Sequence, residues 1–215
     1  DKYPDKEYDL VNEILDQVYT GVEGEQRLCD IALKQTRGEV MKVDGKLIDA
    51  FYHSTCGGHT DNIEDVWEKD PKSYLQSVED DTFCNWSKYY TWDEEFPAST
   101  LLSNIRTYLK SSGRTHSRLG SQLTDIQIES RSTGGRITSL GINTEAGTTN
   151  LGKDIIRWAF ARPGLPGILR SSDFDLELKR DAANRVSTVF IHGRGYGHGV
   201  GMCQCGAIGR ARAGF

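Results

Sequence analysis

Two short stretches hold most of the side chains able to do chemistry. Residues 51–60 read FYHSTCGGHT, and residues 193–207 read GRGYGHGVGMCQCGA. Imidazoles, hydroxyls and thiols crowd together there, beside glycines that let backbone approach a ligand closely. His53, Cys56 and His59 have the spacing H-x-x-C-x-x-H, and His192, His198, Cys203 and Cys205 add further nitrogen and sulfur donors of the kind zinc accepts. Against zinc, the ligands show no zinc-finger pairing, and Cys203 and Cys205 form a C-x-C rather than a C-x-x-C. Cys56 between two histidines is also a candidate thiolate nucleophile, although a catalytic base usually arrives from distant sequence. A third reading joins Cys56 by a disulfide to Cys84, Cys203 or Cys205, as suits an exported protein. Five cysteines are too few for a disulfide scaffold, and their odd number leaves at least one unpaired within the chain. Composition alone leaves these readings open.

Glycines at 193, 195, 197, 199 and 201 alternate as if the backbone were pressed against something. A G-x-G-x-x-G pattern can be drawn through them only out of register, with no strand–helix–strand unit around it, so a dinucleotide site is excluded. A helix expected from about Val200 would place His198 at its start, where N–H groups favour a neutral ring and a polar ligand.

Flanking segments must position these residues. An apolar rhythm at Leu10, Val11, Ile14, Leu15 and Val18 predicts a short first helix. The segment EQRLCDIALKQTRG predicts a second, ending before Gly38, with Cys29 in the core. Val40 and Val43 before Asp44-Gly45 predict a tight hairpin, whose return strand would run on through Tyr52 and deliver His53-Ser54-Thr55. Residues 61–96 read as a loop, with Glu64 and Asp65 exposed on it and Trp67, Trp86 and Trp92 either stacking on a ligand or forming a small local core. Leu101, Leu102, Ile105, Tyr108 and Leu109 then make a helical stripe. Three strand-like segments follow over 123–151, a short helix at GKDIIRWAFAR, and a final hairpin turning at Asp181–Asn184. This order lacks βαβ regularity and predicts an α+β fold with mainly antiparallel sheets and two lobes around a cleft, divided at 1–96 and 97–215.

Hydrophobic content of 37% and charged content of 27% describe an ordinary globular chain. No apolar run is long enough to span a membrane. Residues 1–103 carry 23 acidic against 10 basic side chains, and residues 104–215 carry 8 against 16. No basic run interleaves with aromatics, so nucleic acid is not an expected partner.

The segments AFYHSTCGGHTDNIEDVW and GRGYGHGVGMCQCGA together resemble the two long motifs of the stage II sporulation protein D family, which includes the amidase enhancers. DQVYTG, the TRG segment before the hairpin, GGRITSL and GKDIIRWAF extend the likeness over roughly residues 16–213. The resemblance implies an extracytoplasmic peptidoglycan protein, a lytic transglycosylase that cuts between N-acetylmuramic acid and N-acetylglucosamine to leave 1,6-anhydro ends. Such chemistry needs one carboxyl group, which protonates the glycosidic oxygen and then accepts the proton of the substrate's own 6-hydroxyl. It also implies a substrate-binding set of His53, Ser54, Thr55, Cys56, Gly57 and Gly58, faced across the cleft by Tyr196, His198 and Gln204. The family's glutamate lies in a segment matched nowhere in these residues, so the general acid is expected outside this chain. Zinc ligands that some relatives carry just before Q-V-Y are replaced here by NEILD, and an aromatic of the second motif by Cys205. No cofactor is expected, with zinc as the alternative that the cysteines and histidines leave open. The partners implied are glycan strands and a cell-wall amidase, and the alternative function is a non-catalytic glycan-binding or amidase-activating module.

Overall fold

The computed structural model describes residues 5–7, 11, 21–114, 119–161 and 167–215. The expected first helix lies almost wholly outside them. The chain folds as two units, Asp1–Ile48 and Asp49–Phe215.

In the first unit a 3-10 turn, Val22–Gly24, leads into α1 (Arg27–Gln35), and β1 (Lys42–Val43) pairs antiparallel with β2 (Lys46–Leu47). Asp44 and Gly45 both adopt positive φ, at 50° and 74°, as a two-residue hairpin turn requires. Two expectations need correction. No residue of α1 is buried, and Cys29 is exposed rather than core. The hairpin's return strand stops at Leu47, because Phe51 to His53 pair elsewhere.

The second unit begins with β3 (Tyr52–His53) and a single helical turn, α2 (Ile63–Val66). β4 (Thr91–Pro97) runs directly into α3 (Ala98–Ser111), followed by β5 (Leu123–Arg131), β6 (Ile137–Thr144) and β7 (Gly147–Gly152). After α4 (Ile155–Ala159) come β8 (Asp173–Arg180), β9 (Val186–Arg194), β10 (Met202–Cys203) and α5 (Gln204–Arg212). The strands form antiparallel sheets ordered β4–β9–β8 and β5–β6–β7, with a small parallel pair, β10–β3. The fold is α+β, and none of its sheets closes.

One core joins the two three-stranded sheets through α3 and α4. Leu101, Leu102, Ile105 and Leu109 form the buried stripe of α3, against Phe96, Leu140, Ile142, Phe160, Phe174, Val189 and Ile191. The central strand β6 buries residues on both faces, at Leu140, Gly141 and Ile142 in succession, as a strand with neighbours on each edge can. β4 replaces the end of the predicted loop. Its period-2 burial at Trp92 and Phe96 is strand-like, but Asp93, Glu94 and Glu95 mask it in the sequence. α5 starts at Gln204, not near Val200, because Gly197, Gly199 and Gly201 hold positive φ and residues 202–203 are drawn into pairing with β3.

Candidate functional site

The two dense stretches meet as hydrogen-bonded neighbours. Tyr52 lies opposite Met202 and His53 opposite Cys203 in the parallel pair. Thr55 and Tyr196 exchange both backbone hydrogen bonds, at 3.0 and 2.7 Å, while Ser54 O accepts from Cys205 N–H at 2.9 Å and Gly199 O from Asp61 N–H at 2.9 Å. The glycine-rich tail thus touches residues 51–61 at three places, with Tyr196 at Thr55, Gly199 at Asp61 and residues 202–205 along 51–54. Two glycines show why the alternation is needed. A Cβ on Gly197 would come within 2.6 Å of His53 Cβ, and one on Gly201 within 2.2 Å of Phe51 O.

His53, Thr55 and Cys56 are buried in this seam; Ser54, Gly57, Gly58, Tyr196 and His198 are half-buried, and Gln204 is exposed. His198 packs against Trp67 at 4.8 Å, His53 at 5.5 Å and Phe51 at 6.3 Å between ring centroids. Val200 N–H donates to His198 Nδ1 at 3.1 Å, which puts the ring proton on Nε2. Burial, together with the Arg157 and Arg136 charges, lowers the His198 pKa to about 4. His53 is lowered further, to about 3, by burial and then by Arg136 and His198. Its Nδ1 donates to Val200 O at 3.2 Å, and its buried Nε2 has no hydrogen-bond partner. Both rings are neutral at pH 7. His198 therefore has its neutral ring, but in the glycine loop and not at a helix start.

Beneath the seam lies a residue that sequence reasoning missed. Arg136, at the start of β6, is 1% exposed and forms a buried ion pair with Asp61. Its second Nη donates to Cys56 O at 3.2 Å, and Ser132 Oγ also donates to Asp61. Its only trace in the sequence is its place in the GGRITSL segment of the resemblance, which says nothing of a buried charge.

On the other side, Thr55 Oγ1 lies 2.8 Å from Ser87 Oγ, and the Tyr196 ring meets Tyr89 edge-on at 4.7 Å. Arg170 sits over Tyr89 at 5.5 Å and pairs with Glu94. Of the tryptophans, Trp92 is core and donates to Gly195 O at 2.7 Å, Trp67 packs on a small cluster with Ile63 and Val66, and Trp86 is exposed under Arg212. Glu64 and Asp65 lie on α2 and are half-buried, not loop carboxylates in open solvent.

The H-x-x-C-x-x-H spacing does not make a ligand set. His53 turns into the aromatic seam, and His59 Nδ1 is taken by Thr60 O at 2.8 Å. Cys56 instead joins Asp80, Cys84 and Cys203 in a buried group of metal-type donors. All five cysteines are free thiols. Cys56 is a poor nucleophile: it is 1% exposed, and hydrogen bonding to Cys203 and Cys84, with burial, pushes its thiol up.

The family described as "Domain of unknown function (DUF8618)" matches residues 83–201, more than half of the chain. A stage II sporulation protein D of Bacillus amyloliquefaciens is 33% identical over 180 residues, covering 82% of this chain and 43% of its own. The amidase enhancer of Bacillus subtilis is 27% identical over 229 residues, 92% of this chain and 32% of that one. The chain belongs to this family, a stage II sporulation protein D-like one. An uncharacterized protein of Brachyspira hyodysenteriae, 29% identical over 205 residues, covers 95% of the chain and 49% of its own length. The chain therefore spans less than half of the length of these three relatives.

Proposed function

We propose that this stage II sporulation protein D-like chain is the glycan-binding body of an extracytoplasmic peptidoglycan lytic transglycosylase. The observation that carries the reading is the seam itself, in which residues 51–55 and 61 hydrogen-bond to the 196–205 tail. Its partly exposed residues carry uncharged polar groups. Ser54 Oγ, the Tyr196 hydroxyl and the exposed Gln204 amide suit sugar hydroxyls, which need donors and acceptors without charge, while the His198 ring, its Nδ1 taken by Val200 N–H, lines the seam. The buried members, His53, Thr55 and Cys56, with Gly57 and Gly58 beside them, hold those groups in place. Trp67 beside His198 and Tyr89 beside Tyr196 offer apolar ring faces for the sugar's C–H surface.

A general acid must be aimed at the glycosidic oxygen and free to give up and regain a proton. Asp61 is committed to Arg136, Asp80 to Arg210 and Glu94 to Arg170. Because the family resemblance puts its glutamate in a segment matched nowhere in these residues, we place the acid outside them, so that the complete protein cleaves MurNAc–GlcNAc bonds and this chain binds the strand. A cell-wall amidase is the protein partner that the amidase enhancer's name suggests. The test uses glycan strands stripped of peptides. This chain should bind them and release no 1,6-anhydro ends by mass spectrometry, whereas the complete protein should release them. Product from this chain alone would refute the placement of the acid, and failure of this chain to bind would remove the reading.

A further inference from the structure

Cys56, the pair Asp80 and Cys84, and Cys203 come from three separate stretches of sequence and converge on one buried point. Their exposures are 1%, 6%, 0% and 6%. One ligand atom from each lies within 4.8 Å of all the others. Cys56 Sγ is 3.4 Å from Cys84 Sγ and 3.2 Å from Asp80 Oδ2. Around a tetrahedral zinc, with Zn–S about 2.3 Å and Zn–O about 2.0–2.2 Å, neighbouring ligand atoms sit on the order of 3.5–3.8 Å apart. The four atoms are spaced for that polyhedron after small shifts. They are not at bonding distance for a disulfide.

We propose that these four side chains form a structural zinc site. Three sulfurs and one carboxylate oxygen select a borderline-soft ion over magnesium or calcium, which require oxygen cages. Four protein ligands complete the tetrahedron and leave no position for water or substrate, so the site holds structure and does not act on a substrate.

The surroundings are built for it. Arg210 Nε donates to Asp80 Oδ1 at 3.0 Å and leaves Oδ2 turned toward the thiols. Cys203 Sγ accepts from the backbone N–H of Cys56 and of Gly206, each at 3.2 Å, and Cys56 Sγ from Gly58 N–H at 3.4 Å. Such donors offset the charge of metal-bound thiolates and fix their direction. Packing leaves little freedom, since a Cβ on Gly206 would fall 1.9 Å from Asp80 Oδ2. On binding, each ligating thiol loses its proton to solvent as its sulfur bonds to zinc; no oxidant is consumed. The bound ion would clip residues 80–84 and the start of α5 to the seam, independently of what the seam binds.

Purified in the absence of chelators, the chain should carry about one zinc by elemental mass spectrometry, with its thiols reduced. Cobalt replacing the zinc should show intense tetrahedral d–d bands and a thiolate-to-metal charge-transfer band. Cys84→Ser and Cys203→Ser should lower the zinc content roughly tenfold or more, in line with the loss of a metal-bound sulfur, while Cys29→Ser retains it. Far-UV circular dichroism of each variant checks folding, and the wild-type metal content and cobalt spectrum decide the matter even if a variant does not fold. A metal-free protein that takes up no cobalt would overturn the site. So would a disulfide among Cys56, Cys84 and Cys203 in non-reducing peptide maps, or full zinc content in folded Cys84→Ser.

Discussion

Arg136 carries a full charge into the interior, where it pairs with Asp61 and donates to a backbone carbonyl, with the buried Asp173 carboxylate nearby. Taking both partners out of water costs several kcal/mol each, which their attraction and hydrogen bonds offset only while both remain. Arg136→Met should thus leave Asp61 buried and unpaired, lowering unfolding free energy by about 3–5 kcal/mol in urea denaturation. His198 makes a second prediction at this scale. Unfolded, it protonates near its ordinary pKa of 6.5; folded, only near 4. Between these values the unfolded chain binds more protons, so stability rises with pH. The contribution is complete above about pH 6.5 and fades as pH falls toward 4, by about 1–3 kcal/mol for a half-buried ring. Urea midpoints measured across this range should fall more steeply with acid in the wild type than in His198→Gln, and parallel curves would refute the assignment.

α3 is the element on which the core depends most visibly. Its stripe is legible in sequence, and the structure buries Leu101, Leu102, Ile105 and Leu109 beneath it. Ile105 is 0% exposed between both three-stranded sheets. Ile105→Ala should cost about 2–5 kcal/mol, from lost transfer energy plus the cavity left behind. Lys110→Ala, on the solvent face of the same helix, should stay within about 0.5 kcal/mol. Equal effects in equilibrium urea unfolding would mean that the stripe is not what holds the helix.

For the whole molecule, every buried hydrophobic residue among those described lies beyond Ile48, in the second unit. Such a unit has its own core and meets the requirement for folding alone. Residues 49–215 expressed by themselves should give one sigmoidal thermal transition by circular dichroism. A broad, sloping melt would show that the core is incomplete without the first 48 residues.

The α+β class, the α3 stripe, the Asp44-Gly45 turn, the strands over 123–152 and the closing hairpin were all determined by local pattern. Their causes are local: apolar periodicity, and glycine or aspartate where φ must be positive. The density of His53–Thr55 and of the glycine tail likewise marked the region of interest before any fold was known. What those residues touch was decided only by tertiary structure. His53 and Cys56 are three residues apart, yet one enters an aromatic seam and the other a thiol cluster, because strand pairing sends them to different partners. Arg136 meets Asp61 across 75 residues, and Cys203 meets Cys56 across 147. No spacing rule in a linear chain encodes contacts at that separation; they exist because two sheets and a glycine-rich strand share one interior.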